Sequence, residues 1–210
     1  IFITLSFAFK LQAVFIMPVF FVFLLAGKIR LRHLPVFPLT YIVIVLPAVL
    51  LGRPFMDTLL IYFHESGSVG SGLNYNSSSV YALWRDFADP AAAARLGIFA
   101  AFAFLLVLLG VCYVFRRRLN DRLILLAAAL IAVGIPFLLP HMHDRYFFAA
   151  DALSLVLAFG LPILSPVAAL TQFASLLGYY AYLVKRFLLL MDHGARALIL
   201  ALLLLLACFI

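Results

Sequence analysis

Long apolar runs, separated by short polar or basic segments, dominate the sequence. A helix needs about 20 mostly apolar residues to cross the hydrocarbon core of a bilayer. The pattern predicts seven membrane spans, at about residues 3–26, 36–51, 96–115, 123–139, 147–161, 165–184 and 197–210. The predicted fold class is therefore all-α, a polytopic membrane helix bundle formed by one transmembrane domain over residues 1–210.

Residues that begin or bend helices support several of these boundaries. Asn120 is a predicted N-cap for the fourth span, and Asp89, followed by a proline, is predicted to open the helix of the third. Ser165, also followed by a proline, is the predicted N-cap of the sixth span. Pro136 predicts a kink near the end of the fourth span.

Composition agrees with a membrane protein, since 68% of the residues are apolar and 11% are charged. A soluble domain has roughly 45–50% apolar and 25% charged residues, so soluble enzymes, disordered tails, disulfide scaffolds and nucleic-acid modules are excluded. The net charge of +7 comes from clusters in short loops, which orient membrane helices. Cys112 and Cys208 lie within apolar runs, which favours small packing side chains over a disulfide.

The basic clusters predict the orientation of the spans. Residues 28–32 and 116–122 form two dense clusters two spans apart, so the positive-inside rule places both in the cytoplasm. The long polar stretch 53–95, the loop 140–146 and the segment 185–196 then lie on the external side. Residues 54–63 of the long stretch predict a short amphipathic helix, reaching Phe63, in the membrane interface.

The sharpest cluster of polar residues contains His141, His143, Asp144 and Arg145, where an apolar span ends on a proline. Ionisable groups near lipid indicate a functional site. The favoured interpretation is an anion site, in which the Arg145 guanidinium donates paired hydrogen bonds to a phosphate and a histidine acts as hydrogen-bond donor or general base. A metal site is a less favoured interpretation. In the third interpretation, the site has only a structural role: Asp144 caps the next helix, and Arg145 anchors the chain at the membrane interface.

Other polar side chains stand inside or beside the spans. Asp151 lies about 9 Å further along the fifth span than Arg145, and Lys10 and Gln12 interrupt the first span. Lys10 either pairs with Asp151 between packed helices or binds a phosphate at the outer leaflet; the sequence leaves both open. Arg53 directly follows the second span.

The long external stretch also contains side chains that suit a sugar. Aromatic rings stack on sugar faces, and amides supply paired donors and acceptors. The alternative to sugar binding is a structural role for the aromatic residues, which form belts at the membrane interface in any membrane protein. The pair His64-Glu65 resembles half of a catalytic acid–base pair. The candidate sugar contacts are Asn74, Tyr75, Asn76 and Trp84.

Three groups of motifs, taken in order, resemble a known family. They are Lys10-Leu-Gln12 before an apolar run with Pro18; Gly52-Arg53-Pro54, then Leu73-Asn74-Tyr75-Asn76 and Tyr81-Ala82-Leu83-Trp84; and the segment Pro140 to Phe148 with Asp151 behind it. Over residues 5–185 this order resembles the C-terminal half of bacterial C-type glycosyltransferases, similar to relatives of GPI mannosyltransferases and dolichol-phosphate glucosyltransferases. Where the family often has His-Glu-Arg-Tyr this chain has Asp144, and the motif 73–76 lacks the family's proline.

The resemblance implies that a sugar, a mannose-like hexose, moves from a polyprenyl-phosphate donor to an acceptor on the external face of a bacterial inner membrane. The acceptor, whether lipid, glycan or protein, stays open. No cofactor or metal is required. The resemblance implies donor-phosphate contacts at His141, His143, Arg145, Lys10 and Arg53, contacts with sugar or acceptor at Asn74, Asn76, Tyr75 and Trp84, and polar intramembrane positions at Asp151 and Gln12.

The family's catalytic base belongs to an earlier external loop, so we expect this chain to be an internal fragment with the base before Ile1. Asp57, Glu65 and Asp86 are therefore not assigned to that role. A transporter or flippase for a lipid-linked or polysaccharide precursor is the alternative, because it also needs basic residues at the membrane boundary.

Overall fold

A computed structural model describes residues 1–61, 70, 72–84 and 86–210 of the chain. His64-Glu65 and Phe63, at the end of the predicted interfacial helix, lie outside the described residues. The α-helices within these ranges are α1 Phe2–Phe9, α2 Val19–Leu25, α3 Val36–Leu50, α4 Phe55–Leu59, α5 Pro90–Val114, α6 Asp121–Leu138, α7 Phe148–Gly160, α8 Ser165–Val184 and α9 Met191–Phe209. The strands are β1 Asn74–Tyr75 and β2 Met142–His143.

Five helical segments of the described residues are long and apolar enough to cross a membrane. They are Leu31–Leu50, Pro90–Val114, Asp121–Leu138, Pro162–Val184 and Met191–Phe209. The chain is thus an all-helical integral membrane protein, which confirms the predicted fold class. Of the seven predicted spans, the first and the fifth do not form helices of this length.

The first predicted span is broken at Lys10, so its prediction as one helix is wrong. Helix α1 ends at Phe9, Lys10 is extended with φ −154° and ψ 121°, and a 3₁₀ helix follows over Leu11–Phe15. Pro18 then precedes α2. A proline cannot continue a helix without losing a hydrogen bond and clashing with the carbonyl four residues earlier, which explains the second interruption.

The fifth predicted span is a helix of only 13 residues, α7, which ends at Gly160. A 3₁₀ turn over Pro162–Leu164 leads directly into α8. Ser165 is already helical there, with φ −54° and ψ −33°, and makes no capping hydrogen bond, so its prediction as an N-cap is wrong.

The other two predicted helix starts are confirmed. The Asp89 side chain accepts a hydrogen bond from the Ala92 amide at 2.9 Å, and Asn120 accepts one from the Leu123 amide at 2.9 Å. Each side chain satisfies one of the backbone donors left free at a helix start. Helix α5 begins at Pro90, directly after its predicted cap. Helix α9 begins at Met191, before its predicted span, because the polar residues of its first turns are also helical.

Helix α6 lies at the centre of the bundle, and its side chains from Leu126 to Phe137 are buried. It packs against α2, α5, α7 and α9, while α8 packs against α7 and α9. The run of Ala127, Ala128 and Ala129 allows this close packing, since small residues let membrane helices approach. Helices α1, α3 and α4 pack mainly on one another.

The polar segments divide between the two ends of the bundle. Lys28 Nζ lies 2.8 Å from Asp121 Oδ1, so the two basic clusters share one end, as the charge pattern predicts. At the other end, β1 pairs with β2 in parallel, with Asn74 opposite Met142 and Tyr75 opposite His143. This pairing joins the long polar stretch to the loop 140–147.

Asp151 has its hydrogen-bond partners on the neighbouring helix α8. Ser175 Oγ donates to Asp151 Oδ1 at 2.8 Å, and Gln172 Nε2 donates to the Asp151 carbonyl at 3.2 Å. The predicted Lys10–Asp151 ion pair does not form, because Lys10 is exposed on the extended break while Asp151 is buried against α8. Neither residue belongs to an ion pair within the described ranges.

We expect Ser175→Ala to lower the free energy of unfolding by about 1–3 kcal/mol, because the buried Asp151 carboxylate loses a hydrogen bond it cannot regain from water. Ser6→Ala is the matched control, since the Ser6 hydroxyl is exposed and bonds only to its own helix. Its effect should stay within about 0.5 kcal/mol. Chemical unfolding in detergent micelles measures both, and equal effects would contradict this assignment of Asp151's partner.

Candidate functional site

The polar end of the bundle is built where the chain around β1 meets the chain around β2. The His141 amide donates to the Leu73 carbonyl at 2.8 Å, and His141 Nδ1 lies 2.7 Å from the Gly72 carbonyl. The Gly72 amide in turn donates to the Tyr75 hydroxyl at 2.8 Å. His141 has a left-handed backbone, with φ 61°. One ring nitrogen of this predicted phosphate contact is therefore engaged in holding the two segments together.

An aromatic cluster lies beside this pairing and includes His143. The Tyr75 and His143 rings are stacked, with centroids 4.7 Å apart and planes 13° apart. Tyr146 meets His143 edge-on at 5.3 Å, and Phe15 contacts Tyr146 at 5.4 Å. Because Phe15 ends the 3₁₀ helix that follows Lys10, the broken first span lies next to the histidine loop. Three motifs distant in sequence therefore meet here.

Partial burial, assisted by a neighbouring guanidinium, favours the neutral imidazole of His143. Burial lowers the pKa of His143 from its usual value, and the neighbouring Arg145 guanidinium lowers that pKa further, against an opposing contribution from Asp144. Arg145 itself is exposed. A neutral imidazole can offer a hydrogen bond to an anion without carrying charge, while Arg145 supplies the positive charge.

Asp144 is buried but does not cap a helix, so the capping interpretation is wrong. Neither the 3₁₀ turn over Asp144–Phe147 nor α7 has a side-chain cap. Phe147, which directly precedes α7, stands in the cap position and has no side-chain oxygen. Asp144 instead packs its Cβ against Gly178 of α8.

On the opposite side of β1 from His143 lies a second feature, which we call the polar cavity. Its volume is about 490 Å³, within the range of small-molecule sites. Asn74, Asn76 and Trp84 line it together with Asp86. Side chains alternate along an extended strand, so Asn74 faces this cavity while Tyr75 contacts His143. Asn76 follows the strand and also lines the cavity. The structure brings three of the four predicted sugar contacts together.

The two asparagines differ in whether their side-chain amides form hydrogen bonds with other described residues. Asn74 forms a closed pair of hydrogen bonds with Ser77, donating to its carbonyl and accepting from its amide, each at 2.8 Å. Asn76 has a left-handed backbone, with φ 54°, a conformation that asparagine tolerates better than most residues. Its side-chain amide makes no hydrogen bond within the described part of the chain and can meet a ligand.

Two glycines, which the sequence reasoning missed, hold the loop 76–79 against the bundle. The Asn76 carbonyl lies 2.8 Å from where a Cβ on Gly178 would stand, and Ser78 contacts Gly194 in the same way. Ser78 Oγ also donates to the Ala174 carbonyl at 2.9 Å. The sequence did contain a signal for them, because small residues in transmembrane helices often mark places of close contact.

The remaining candidates lie apart from this centre. Lys10 and Arg53 are both exposed, and Gln12 is half-buried in the 3₁₀ helix after Lys10. Lys10 lies five positions before Phe15, which contacts Tyr146 of the cluster, whereas no contact of the described residues links Arg53 to it. Trp84 is 56% exposed at the cavity rim.

Across the described residues, no group of three or more His, Cys, Asp or Glu side chains is close enough to hold a metal ion. Comparisons of the chain with protein-family models, with curated proteins and with solved structures each found no match.

Proposed function

We propose that this protein is a membrane glycosyltransferase that moves a hexose from a polyprenyl-phosphate donor to an acceptor on the external face of a bacterial inner membrane. The observation that carries the proposal is the β1–β2 pairing. It puts a histidine–arginine loop on one side of a strand and a cavity with amide and aromatic side chains on the other.

The histidine loop suits the donor phosphate. Arg145 is exposed next to His143, and its planar guanidinium can donate two parallel hydrogen bonds to phosphate oxygens. Lys10 adds a second positive charge on the neighbouring chain break. Charge develops on the phosphate as the sugar leaves, so fixed cations and hydrogen-bond donors at this place lower the barrier.

The reaction exchanges one bond at the anomeric carbon. The acceptor hydroxyl oxygen forms a bond to that carbon as the carbon–oxygen bond to phosphate breaks, and the electron pair leaves with the polyprenyl phosphate. The hydroxyl proton passes to a general base, which the family resemblance implies in the family's first external loop. Attack opposite the leaving phosphate inverts the configuration of the sugar.

The position of the polar groups favours transfer over transport. Arg145, Asn76 and Trp84 lie between helices at one end of the bundle. A transporter places its substrate groups near the bilayer midplane, on interrupted helices.

A transporter or flippase for a lipid-linked precursor is the second candidate, and the break at Lys10 favours it. Interrupted helices form substrate and ion sites in transporters, and Lys10 is an extended residue between α1 and the following 3₁₀ helix. Formation of a new glycosidic product separates the two functions, because a flippase moves its substrate unchanged.

The test is an assay of the full-length protein in membranes with a radiolabelled polyprenyl-phosphate hexose. We expect a glycosylated product, with its formation reduced about 10²-fold by Lys10→Met, because a cation next to the leaving phosphate is removed. Lys28→Met is the matched control. Lys28 pairs with Asp121 at the other end of the bundle, so that variant should keep its activity.

Labelled donor that crosses the membrane without forming product would overturn transfer in favour of transport. An active protein in which Lys10→Met and Lys28→Met behave alike would remove Lys10 from the phosphate site while leaving the enzyme in place.

A further inference from the structure

A second cavity, which we call the apolar cavity, adjoins the polar cavity. Its volume is about 460 Å³, and Tyr81, Trp84, Asp86 and Phe87 line both cavities. The Trp84 and Phe87 rings lie 6.2 Å apart at this common wall. The other described residues of the apolar cavity include Val80, Ala93, Leu96, Gly97, Ala100 and Leu138.

The apolar cavity follows the first turns of α5 into the membrane region. From Ala93 to Ala100 it extends about 10 Å along the helix axis. Gly97 provides the space for Tyr81, whose hydroxyl contacts it and donates to the Ala93 carbonyl at 3.2 Å. Burial raises the pKa of Tyr81, so this hydroxyl stays neutral. This wall presents hydrocarbon and aromatic carbon, which suit an alkyl chain.

The polar cavity selects the head group by charge. Asp86 is the one charged residue among the described residues lining either cavity, and it is exposed at their common wall. A carboxylate repels a phosphate or a carboxylate head group but accepts hydrogen bonds from hydroxyls. The free amide of Asn76 can donate to and accept from the same hydroxyls.

We infer that the two cavities form one binding site for an amphiphile with an uncharged, hydroxyl-bearing head group and a single hydrocarbon chain. The head group occupies the polar cavity beside Asn76 and Asp86, and the chain passes Trp84 into the apolar cavity. The role of this molecule as the acceptor of transfer rests on the proposed function, whereas its binding does not.

Trp84 allows a direct test, because it is the chain's one tryptophan and stands where the two cavities meet. Bromine atoms quench tryptophan fluorescence on contact. We would titrate the full-length protein in micelles, with any tryptophan outside these 210 residues replaced by phenylalanine, using a monoacylglycerol whose acyl chain is brominated. A lysophosphatidate and a free fatty acid with the same brominated chain serve as anionic comparisons.

We expect saturable quenching by the monoacylglycerol, and binding at least about tenfold weaker for both anionic lipids. Asp86→Asn should remove most of this difference, since it keeps the shape of the side chain but not its charge. Ala100→Leu should weaken the binding of the monoacylglycerol about tenfold, because the larger side chain fills part of the apolar cavity. Ala92→Leu, on the exposed face of the same helix, should leave binding unchanged.

Quenching that rises in proportion to lipid content for all three lipids, without saturation, would overturn the site and show that Trp84 senses bulk lipid. Tighter binding of the anionic lipids would overturn the choice of head group. Unchanged binding by an Ala100→Leu variant that unfolds like the parent would overturn the position of the chain. Because no sugar donor is present, these results do not depend on transfer.

Discussion

Arg145→Ala is expected to lower the rate of sugar transfer by about 10²–10³-fold, the usual cost of removing one donor that stabilises developing charge. Arg145 lies on the exposed turn after β2, beside the half-buried His143, whose lowered pKa leaves it neutral, so few other described groups of this loop can supply its charge. Arg145→Lys should recover part of the rate, because lysine keeps the charge but loses the planar fork. Product formation from the polyprenyl-phosphate donor measures each variant.

Arg117→Ala is the matched control, since Arg117 is exposed in the basic 3₁₀ turn at the opposite end of the bundle. The rate of sugar transfer by Arg117→Ala should equal that of the parent protein when the same amount of each is inserted in the membrane. If Arg145→Ala and Arg117→Ala were equally active, Arg145 would be an interfacial anchor and the phosphate would bind elsewhere.

Gly178→Ala is expected to lower the free energy of unfolding by about 1–3 kcal/mol, the usual cost of overpacking. The new Cβ would stand 2.8 Å from the Asn76 carbonyl oxygen and 3.1 Å from Asp144 Cβ, so backbone would have to move. Transfer should fall as well, because the loop before Ser77 would shift from its position beside the histidine loop. Denaturant unfolding in micelles and the transfer assay give the two readings.

Gly110→Ala, also a change from glycine to alanine, is expected to have the opposite effect on stability. Gly110 also lies within a long helix, but no atom lies within 4 Å of its Cβ position. Alanine should therefore stabilise the helix by about 0.5–1 kcal/mol. A loss of stability in both variants would show that the helices, rather than the contact with the loop, respond to the substitution.

The helices could be predicted from the sequence because their signals are local. Asp89 and Asn120 stand immediately before the helices they cap, and each makes the predicted hydrogen bond. The break at Lys10 was not predicted because isolated polar residues in a mostly apolar run are compatible with one helix or with two. Hydropathy alone does not record where a backbone hydrogen bond is lost.

The site was only partly predictable, because its parts are joined by contacts between distant residues. The sequence identified His143 and Tyr75 separately, but the strands that join them have two residues each and no periodicity to detect. An ion pair of Asp151 with Lys10 was one of the two alternatives, whereas a serine hydroxyl on α8 supplies the hydrogen bond. Hydroxyl groups are common in transmembrane helices, so Ser175 gave no signal of its own.

The contacts of Ser78 set an order for the protein's assembly. Its hydroxyl bonds to Ala174, 96 positions later in the chain, and its side chain also contacts Gly194. During synthesis, residues 76–79 leave the ribosome long before α8 and α9 exist. Long-range contacts of this kind form slowly because a large loop must close first. The loop therefore reaches its final place only after α9 has entered the membrane, and a nascent chain stopped before α9 holds every helix up to α8 while the end of the bundle with β1 and β2 is unfinished.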